Sequence, residues 1–257
     1  MSTALITGAS SGIGKDLAVA LAGRGYELIL IARRKDRLAE LAKELKAAHG
    51  VGVTVYAMDL AKPGASAQLE KQVLADGHSV DVLVNNAGFG TGTRVVNENR
   101  AAVAEEIQLN VGTLVDLTIA FLPGMVKRKS GAVVNIASTA SYQPVPGMAV
   151  YAATKSFVRS FTEAVWGEVP AGVKVFAVSP GATETEFFDV AGVHKFGKLA
   201  AVSEVTAVIL AGLDSVKPAP SVIVGARNRI MARISRIVPR TMAIKVAGSM
   251  FLPKKLK

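Results

Sequence analysis

The chain has 257 residues, 30 Lys and Arg against 20 Asp and Glu, a formal net charge of +10, half of its residues hydrophobic, and no cysteine. That length holds one α/β domain with a sizeable core, the missing thiols exclude disulfides and thiolate chemistry, and His49, His78 and His194 are too scattered for a metal site. All acids lie at or before Asp214, whereas Lys217, Arg227, Arg229, Arg233, Arg236, Arg240, Lys245, Lys254, Lys255 and Lys257 follow without one acid, so a neutral body carries a basic tail.

Residues 3–6 (Thr-Ala-Leu-Ile) read as a short buried strand that begins almost at Met1. This start leaves no room for a signal peptide or an N-terminal anchor. No apolar run reaches the roughly eighteen residues of a spanning helix, so a cytoplasmic protein is expected. The strand runs into Thr7-Gly8-Ala9-Ser10-Ser11-Gly12-Ile13-Gly14 and then a helical pattern carried by Leu17, Ala18, Leu21 and Ala22. A strand, a glycine-rich turn and a helix form the context of a dinucleotide site. Gly8 and Gly12 let the backbone turn and approach a pyrophosphate, Gly14 lets the helix pack closely, and the helix N-terminus presents N–H groups to phosphate.

Further apolar strands are predicted at 28–31, 53–57, 82–84, 132–136, 173–178 and 222–224, with helices at 37–48, 101–121 and 156–168 between them. Such alternation predicts an α/β fold, a doubly wound parallel sheet covered on both faces with its site at the strand C-termini. The segment 183–199 breaks the pattern and holds Phe187, Phe188, Val190, Val193, Phe196 and Leu199. Two parts are expected: a catalytic domain at 1–225 and a basic amphipathic extension at 226–257.

Tyr151 and Lys155 stand four residues apart, hence on one face of a helix, and Ser138 lies thirteen residues before Tyr151. A phenol beside an ammonium loses its proton more easily, the tuning a general acid/base needs.

Together these segments resemble the short-chain dehydrogenase/reductase family over nearly the whole chain up to about residue 225. The glycine motif has the family's Thr-Gly-x-x-x-Gly-x-Gly form. Asn85-Asn86-Ala87-Gly88, Asn110 in Leu-Asn-Val-Gly, Ser138 in Asn-Ile-Ala-Ser, Tyr151 with Lys155, and Pro180-Gly181 followed by Thr185 match the family's remaining motifs in order. The resemblance implies a catalytic set of Asn110, Ser138, Tyr151 and Lys155. Ser138 donates to the substrate carbonyl and Tyr151 protonates the developing alkoxide. Lys155 holds the nicotinamide ribose and lowers the tyrosine pKa, and Asn110 anchors a water that links Lys155 to solvent. Cofactor contacts are implied at Gly8, Ser10, Ser11, Gly12, Ile13, Gly14, Asn86, Ala87, Gly88, Tyr151, Lys155, Pro180, Gly181, Thr183 and Thr185, and the segment 183–199 is expected to close over substrate.

NAD-preferring members carry an acid at the end of the second strand; here Ala32-Arg33-Arg34-Lys35 follows instead. A guanidinium suits a 2′-phosphate, so NADP(H) is the implied cofactor, with Arg33 first and Arg34 second. The alternative is a solvated basic helix start. Many NADP-binding relatives also place a base in the glycine loop where this chain has Ser11. Asp59 resembles the residue at the adenine ring, or caps a helix.

Segments such as Thr185-Glu186-Phe187-Phe188-Asp189 are similar to bacterial reductases related to 3-oxoacyl-CoA reductases and 17β-hydroxysteroid dehydrogenases, which handle lipophilic carbonyls. The implied function is NADPH-dependent reduction of such a carbonyl. An NAD-dependent alcohol dehydrogenase and a non-catalytic dinucleotide sensor are the alternatives. Val222-Ile223-Val224-Gly225 departs from the family's tetramer-forming terminus, so a homodimer is expected. On a helical wheel Ile230, Ile234, Ile237 and Val238 share one side and Arg229, Arg233, Arg236 and Arg240 the other, up to Pro239. Such a helix lies on an anionic membrane, covers the pocket or makes a dimer contact. With the single aromatic Phe251 and no matching motif in the tail, nucleic-acid binding is not expected.

Overall fold

The computed structural model describes residues 2–193 and 199–252, without the Arg236 side chain. Phe196, His194, Lys254, Lys255 and Lys257 lie outside the described residues. Seven parallel strands, β1 (Thr3–Thr7), β2 (Glu27–Ala32), β3 (Val53–Ala57), β4 (Val82–Asn85), β5 (Gly131–Ile136), β6 (Val173–Ser179) and β7 (Ser221–Ile223), form one sheet. Its order is β3-β2-β1-β4-β5-β6-β7. The inner strands were legible as apolar runs because both faces are covered.

Alternate residues of each strand feed opposite layers. Ala4, Ile6, Leu28 and Leu30 pack with Leu17 and Leu21 of α1 (Gly12–Ala22), Leu38 and Leu41 of α2 (Lys35–His49) and Val205 and Ile209 of α8 (Val202–Asp214). Leu5, Ile29 and Ile31 join Leu69 and Val73 of α3 (Ala65–Ala75), Leu117 and Phe121 of α5 (Leu114–Arg128) and Val165 of α6 (Ala149–Glu168) on the other side. The direction of winding reverses between β1 and β4, which opens a crevice at their C-terminal ends.

Two helices differ from expectation in ways that matter to the site. α6 begins at Ala149, seven residues early, which places Tyr151 and Lys155 in its first turns. The helix expected at 101–121 runs from Arg100 to Arg128 as α4 (Arg100–Ile107), a wide π turn at Gln108–Thr113 and α5. By length and composition this helix is apolar enough to cross a membrane, contrary to the sequence expectation. Here it is a core helix, with Leu114, Leu117, Phe121 and Met125 buried against the sheet. α7 (Phe187–Ala191) lies in the segment after Pro180-Gly181, and beyond β7 come α9 (Ala226–Ile237) and α10 (Arg240–Phe251). Pro239, expected to end a helix, separates these two and caps α10.

α9 and α10 rest on the body through small residues, Ala232, Ser235, Ala243, Ala247 and Gly248. Three isoleucines of α9 point outward: Ile230 is 56%, Ile234 44% and Ile237 84% exposed.

Candidate active site

The glycine loop between β1 and α1 has the shape its sequence requires. Gly8 and Gly12 take left-handed φ of 68° and 52°, which a side chain disfavours. A Cβ on Gly14 would lie 2.5 Å from the Gly8 carbonyl oxygen, so the helix packs this closely only with glycine there. Thr7 Oγ1 accepts from the N–H groups of Asn86 and Ala87 at 3.0 and 2.9 Å, and Asn86 Nδ2 donates to the Thr7 carbonyl at 2.9 Å. The Asn85–Gly88 motif therefore buttresses the loop. Ser11, at the N-cap of α1, makes no side-chain capping bond, and the first turn holds no acid. Those open N–H groups fit an anionic diphosphate.

Tyr151, Lys155, Ser138 and Asn110 converge at the floor of one cavity of about 1010 Å³, which Tyr151, Lys155 and Ser138 line. Burial pushes the Tyr151 hydroxyl up to about 12; a hydrogen bond from Ser138 opposes that, and Glu106 adds to it. Burial pulls Lys155 down to about 8, with Glu106 acting against the fall. The expected lowering of the tyrosine by its lysine is thus not what dominates here: desolvation of the phenol does. Lys155 Nζ donates to the Ile136 carbonyl at 2.7 Å and stands 5.9 Å from the centre of the Tyr151 ring. Asn110 lies in the π turn, a distortion frequent at functional sites. Its side chain is pinned on both faces: Oδ1 accepts from Phe89 N–H at 3.1 Å, and Nδ2 donates to the Phe89 carbonyl at 2.8 Å and Thr154 Oγ1 at 3.1 Å. A Cβ on Gly88 would come within 2.8 Å of Asn110 Oδ1 and 3.3 Å of Lys155 Nζ, so that glycine lets these two side chains share one wall.

At the other end of the cavity the two arginines separate. Arg34 donates to Ser10 Oγ at 3.1 Å, Ser11 Oγ at 2.7 Å and Glu186 Oε2 at 2.7 Å. Arg37 holds the other Glu186 oxygen at 2.7 Å, and Arg37 and then Arg34 keep this carboxyl down at about 2. Arg33 lines the cavity with its side chain exposed and makes no hydrogen bond or ion pair among the described residues. Asp59 also lines the cavity, and its Oδ1 accepts from Ala61 N–H at 3.1 Å. It shapes a turn rather than capping α3, whose N-cap is Gly64.

Thr183 and Thr185 bring the following segment over the loop: a Cβ on Gly12 would meet Thr185 Cγ2 at 2.9 Å. Pro180 and Gly181 line the cavity floor, and a Cβ on Gly181 would touch Asn228 of α9 at 2.5 Å. Asn228, Glu186, Thr91 and Glu106 belong to the site region and were not anticipated from sequence. For Glu106 the usable signal was its place four residues before Asn110, on the same helix face.

The sequence profile of the family described as short chain dehydrogenase matches residues 2–193. The chain belongs to that family. It is 38% identical over 192 residues to an NADP-dependent 3-hydroxy acid dehydrogenase of Schizosaccharomyces pombe, covering 72% of this chain and 73% of that enzyme. It is 35% identical over 180 residues to a very-long-chain 3-oxoacyl-CoA reductase of Phaeosphaeria nodorum, covering 68% of this chain and 53% of that enzyme. The chain thus spans about half the length of that relative. A solved short-chain dehydrogenase from Sphingobium yanoikuyae in complex with NADPH superposes with a TM-score of 0.83 at 35% identity, over 92% of this chain and 93% of the other.

Proposed function

We propose that this chain reduces a carbonyl on a lipophilic substrate with NADPH, with Tyr151 as general acid. The carrying observation is the convergence of Ser138, Tyr151 and Lys155 in one cavity that Val145, Met148, Phe187, Met231 and Phe251 also line. The loop Gly8–Gly14 and the N-terminus of α1, braced by Arg34, hold the diphosphate, Arg33 the 2′-phosphate, Asp59 the adenine, Lys155 the ribose, and Asn86–Gly88 and Pro180–Thr185 the nicotinamide side. The bound dinucleotide supplies the hydride. Tyr151 keeps its proton at neutral pH because burial disfavours the phenolate, and it gives that proton to the alkoxide oxygen as it forms. Ser138 donates to the same oxygen, and the Lys155 ammonium stabilises the tyrosinate left behind. Each reduction therefore consumes one hydride and one proton.

A cofactor-oxidation screen over acyl thioesters, steroids, aldehydes and quinones tests the proposal: NADPH-dependent reduction of an apolar member is expected. No turnover of any carbonyl, with tight dinucleotide binding retained, favours a sensor instead. The pH profile of reduction follows from Lys155. With its ammonium titrating at about 8, the rate is expected to be flat below that value and to fall above it, while Tyr151 is still protonated. A rate that climbs through pH 9 contradicts the assignment.

The tail extends the same proposal to location: a cytoplasmic enzyme held at the inner face of a membrane. The outward Ile230, Ile234 and Ile237 lie beside exposed Arg229, Arg233 and Arg240, and residues 215–257 contain no acid. That charge selects anionic lipid, each base near such a surface contributing about 1 kcal/mol. Met231 and Phe251 line the cavity from this side, so a substrate dissolved in lipid enters beside the docked face. Co-sedimentation with phosphatidylserine vesicles at low salt is expected, with release at high salt. Indifference to the vesicles at low salt rejects membrane docking. A homodimer that removal of residues 226–257 dissolves, without lipid binding, assigns the face to self-association.

A further inference from the structure

The segment that follows Pro180-Gly181 is tied down at three places. At its base, Glu184 N–H donates to the Ala200 carbonyl at 3.0 Å, and Ala200 N–H to the Ala182 carbonyl at 2.9 Å. In its middle, Thr185 lies against the glycine loop, where a Cβ on Gly12 would meet Thr185 Cγ2 at 2.9 Å. On the far side, Glu186 reaches the end of β2 and the start of α2. Its Oε2 accepts from Arg34 Nη1 and its Oε1 from Arg37 Nη1, both at 2.7 Å. Arg34 carries the connection on to Ser10 and Ser11 of the loop. The next residue, Phe187, faces the catalytic end, its ring 4.9 Å from that of Tyr151. Residues 183–192 thus run as a strap over the glycine loop, with the catalytic tyrosine on one side and two guanidinium groups on the other.

Arg37 stands apart from the rest of this arrangement. It does not line the cavity. Among the described residues, its only hydrogen bond or ion pair is to Glu186. Any effect it has on the site therefore passes through that carboxylate.

We propose that Glu186, held by Arg34 and Arg37, is the clasp of this strap: it sets how fast a dinucleotide enters and leaves, and it positions Phe187 beside Tyr151. This rests on the dinucleotide reading above. The glycine loop takes the diphosphate, so the strap crosses the middle of a cofactor stretched from Arg33 to Tyr151 and Lys155. Exchange requires the strap to lift, and lifting breaks two charge-assisted bonds. The same movement draws Phe187 away from Tyr151, so the cover of the cofactor and one wall of the substrate site open together. The clasp is made of protein groups alone and lies over the diphosphate, which NADPH and NADH share. It therefore slows both cofactors, and slows entry as much as exit. Lid opening and product release limit turnover in many enzymes, and Arg37 acts on that step without touching substrate or cofactor.

Arg37→Gln tests the clasp from outside the cavity. Stopped-flow binding, followed by nicotinamide fluorescence, is expected to show NADPH and NADH entering and leaving about threefold faster, the size of one partly exposed ion pair. Each Kd stays within about twofold, because both rates rise. Glu186→Gln removes both ion pairs and is expected to speed exchange about tenfold. With a substrate from the screen, Glu186→Gln also raises KM for the carbonyl about threefold without lowering kcat, as lost ground-state positioning does. Arg37→Lys keeps the charge and restores the original exchange rates. If Arg37→Gln and Glu186→Gln both exchange the cofactors at the original rates, the clasp is wrong. Faster exit with unchanged entry makes the two residues supports of the bound state and also rejects it. A change confined to NADPH shows that Glu186 acts on the 2′-phosphate by occupying the arginines, and the strap is likewise wrong. Exchange rates are read without turnover, so they stand even if no carbonyl is reduced. Failure of the dinucleotide reading shows instead as an unmodified protein that binds neither cofactor, which removes the clasp with it.

Discussion

Tyr151→Phe is expected to abolish carbonyl reduction, a fall of about 10²-fold to 10⁴-fold or more, while NADPH affinity changes by no more than about twofold. The ring is fixed independently of its hydroxyl. It packs against Phe187 with centroids 4.9 Å apart, and Gly90 approaches so closely that a Cβ there would lie 2.8 Å from Tyr151 Cδ2. Phenylalanine keeps those contacts. The lost hydroxyl bond, to Ser138, is a neutral one whose net contribution to stability is about 1 kcal/mol, so the variant is expected to fold. What it loses is the proton that is transferred to the alkoxide. Dinucleotide titration followed by steady-state assay separates the two effects. A variant that retains most of the original rate identifies another acid, and one that also loses NADPH binding shows that the hydroxyl served the cofactor rather than the chemistry.

The parts of this protein legible in its sequence are those fixed by local geometry. The strands announce themselves because both faces are covered, so β2 reads Glu-Leu-Ile-Leu-Ile-Ala without polar alternation. Gly8, Gly12 and Gly14 mark backbone that only glycine tolerates, and the four-residue spacing of Tyr151 and Lys155 holds in α6 even though that helix begins earlier than its apolar pattern. The unread parts depend on contacts between distant segments. Glu186 is 152 residues from Arg34, and nothing near it in sequence distinguishes it from a solvated acid. Glu105 and Glu106 look like one exposed pair, yet the first reaches Lys62 at the surface and the second is fully buried. In the tail, Ile230, Ile234 and Ile237 carry the hydrophobic signal, but Ala232 and Ser235 carry the packing. Small residues give a weak pattern, so which face of α9 meets the body was open until the fold was known.

Arg33→Ala is expected to raise the Michaelis constant for NADPH about tenfold to a hundredfold and to leave that for NADH nearly unchanged. The magnitude follows from losing charge-assisted hydrogen bonds worth about 1.5–3 kcal/mol, at 1.4 kcal/mol per factor of ten. The structure gives a reason to expect different results from its neighbour. Arg34 is already committed, bound to Ser10 and Ser11 of the glycine loop and to Glu186 of the segment that covers it. Arg34→Ala therefore loosens the loop under the diphosphate, which both cofactors share, and is expected to weaken NADPH and NADH together. Arg33 has no such partner among the described residues and points at solvent on the cavity rim, free to meet an incoming phosphate. Kinetics with both cofactors on the unmodified protein, Arg33→Ala and Arg34→Ala read this out. Equal use of NADPH and NADH by the unmodified protein rejects the phosphate site. A selective loss of NADPH in Arg34→Ala but not in Arg33→Ala moves it to Arg34, with Glu186 displaced.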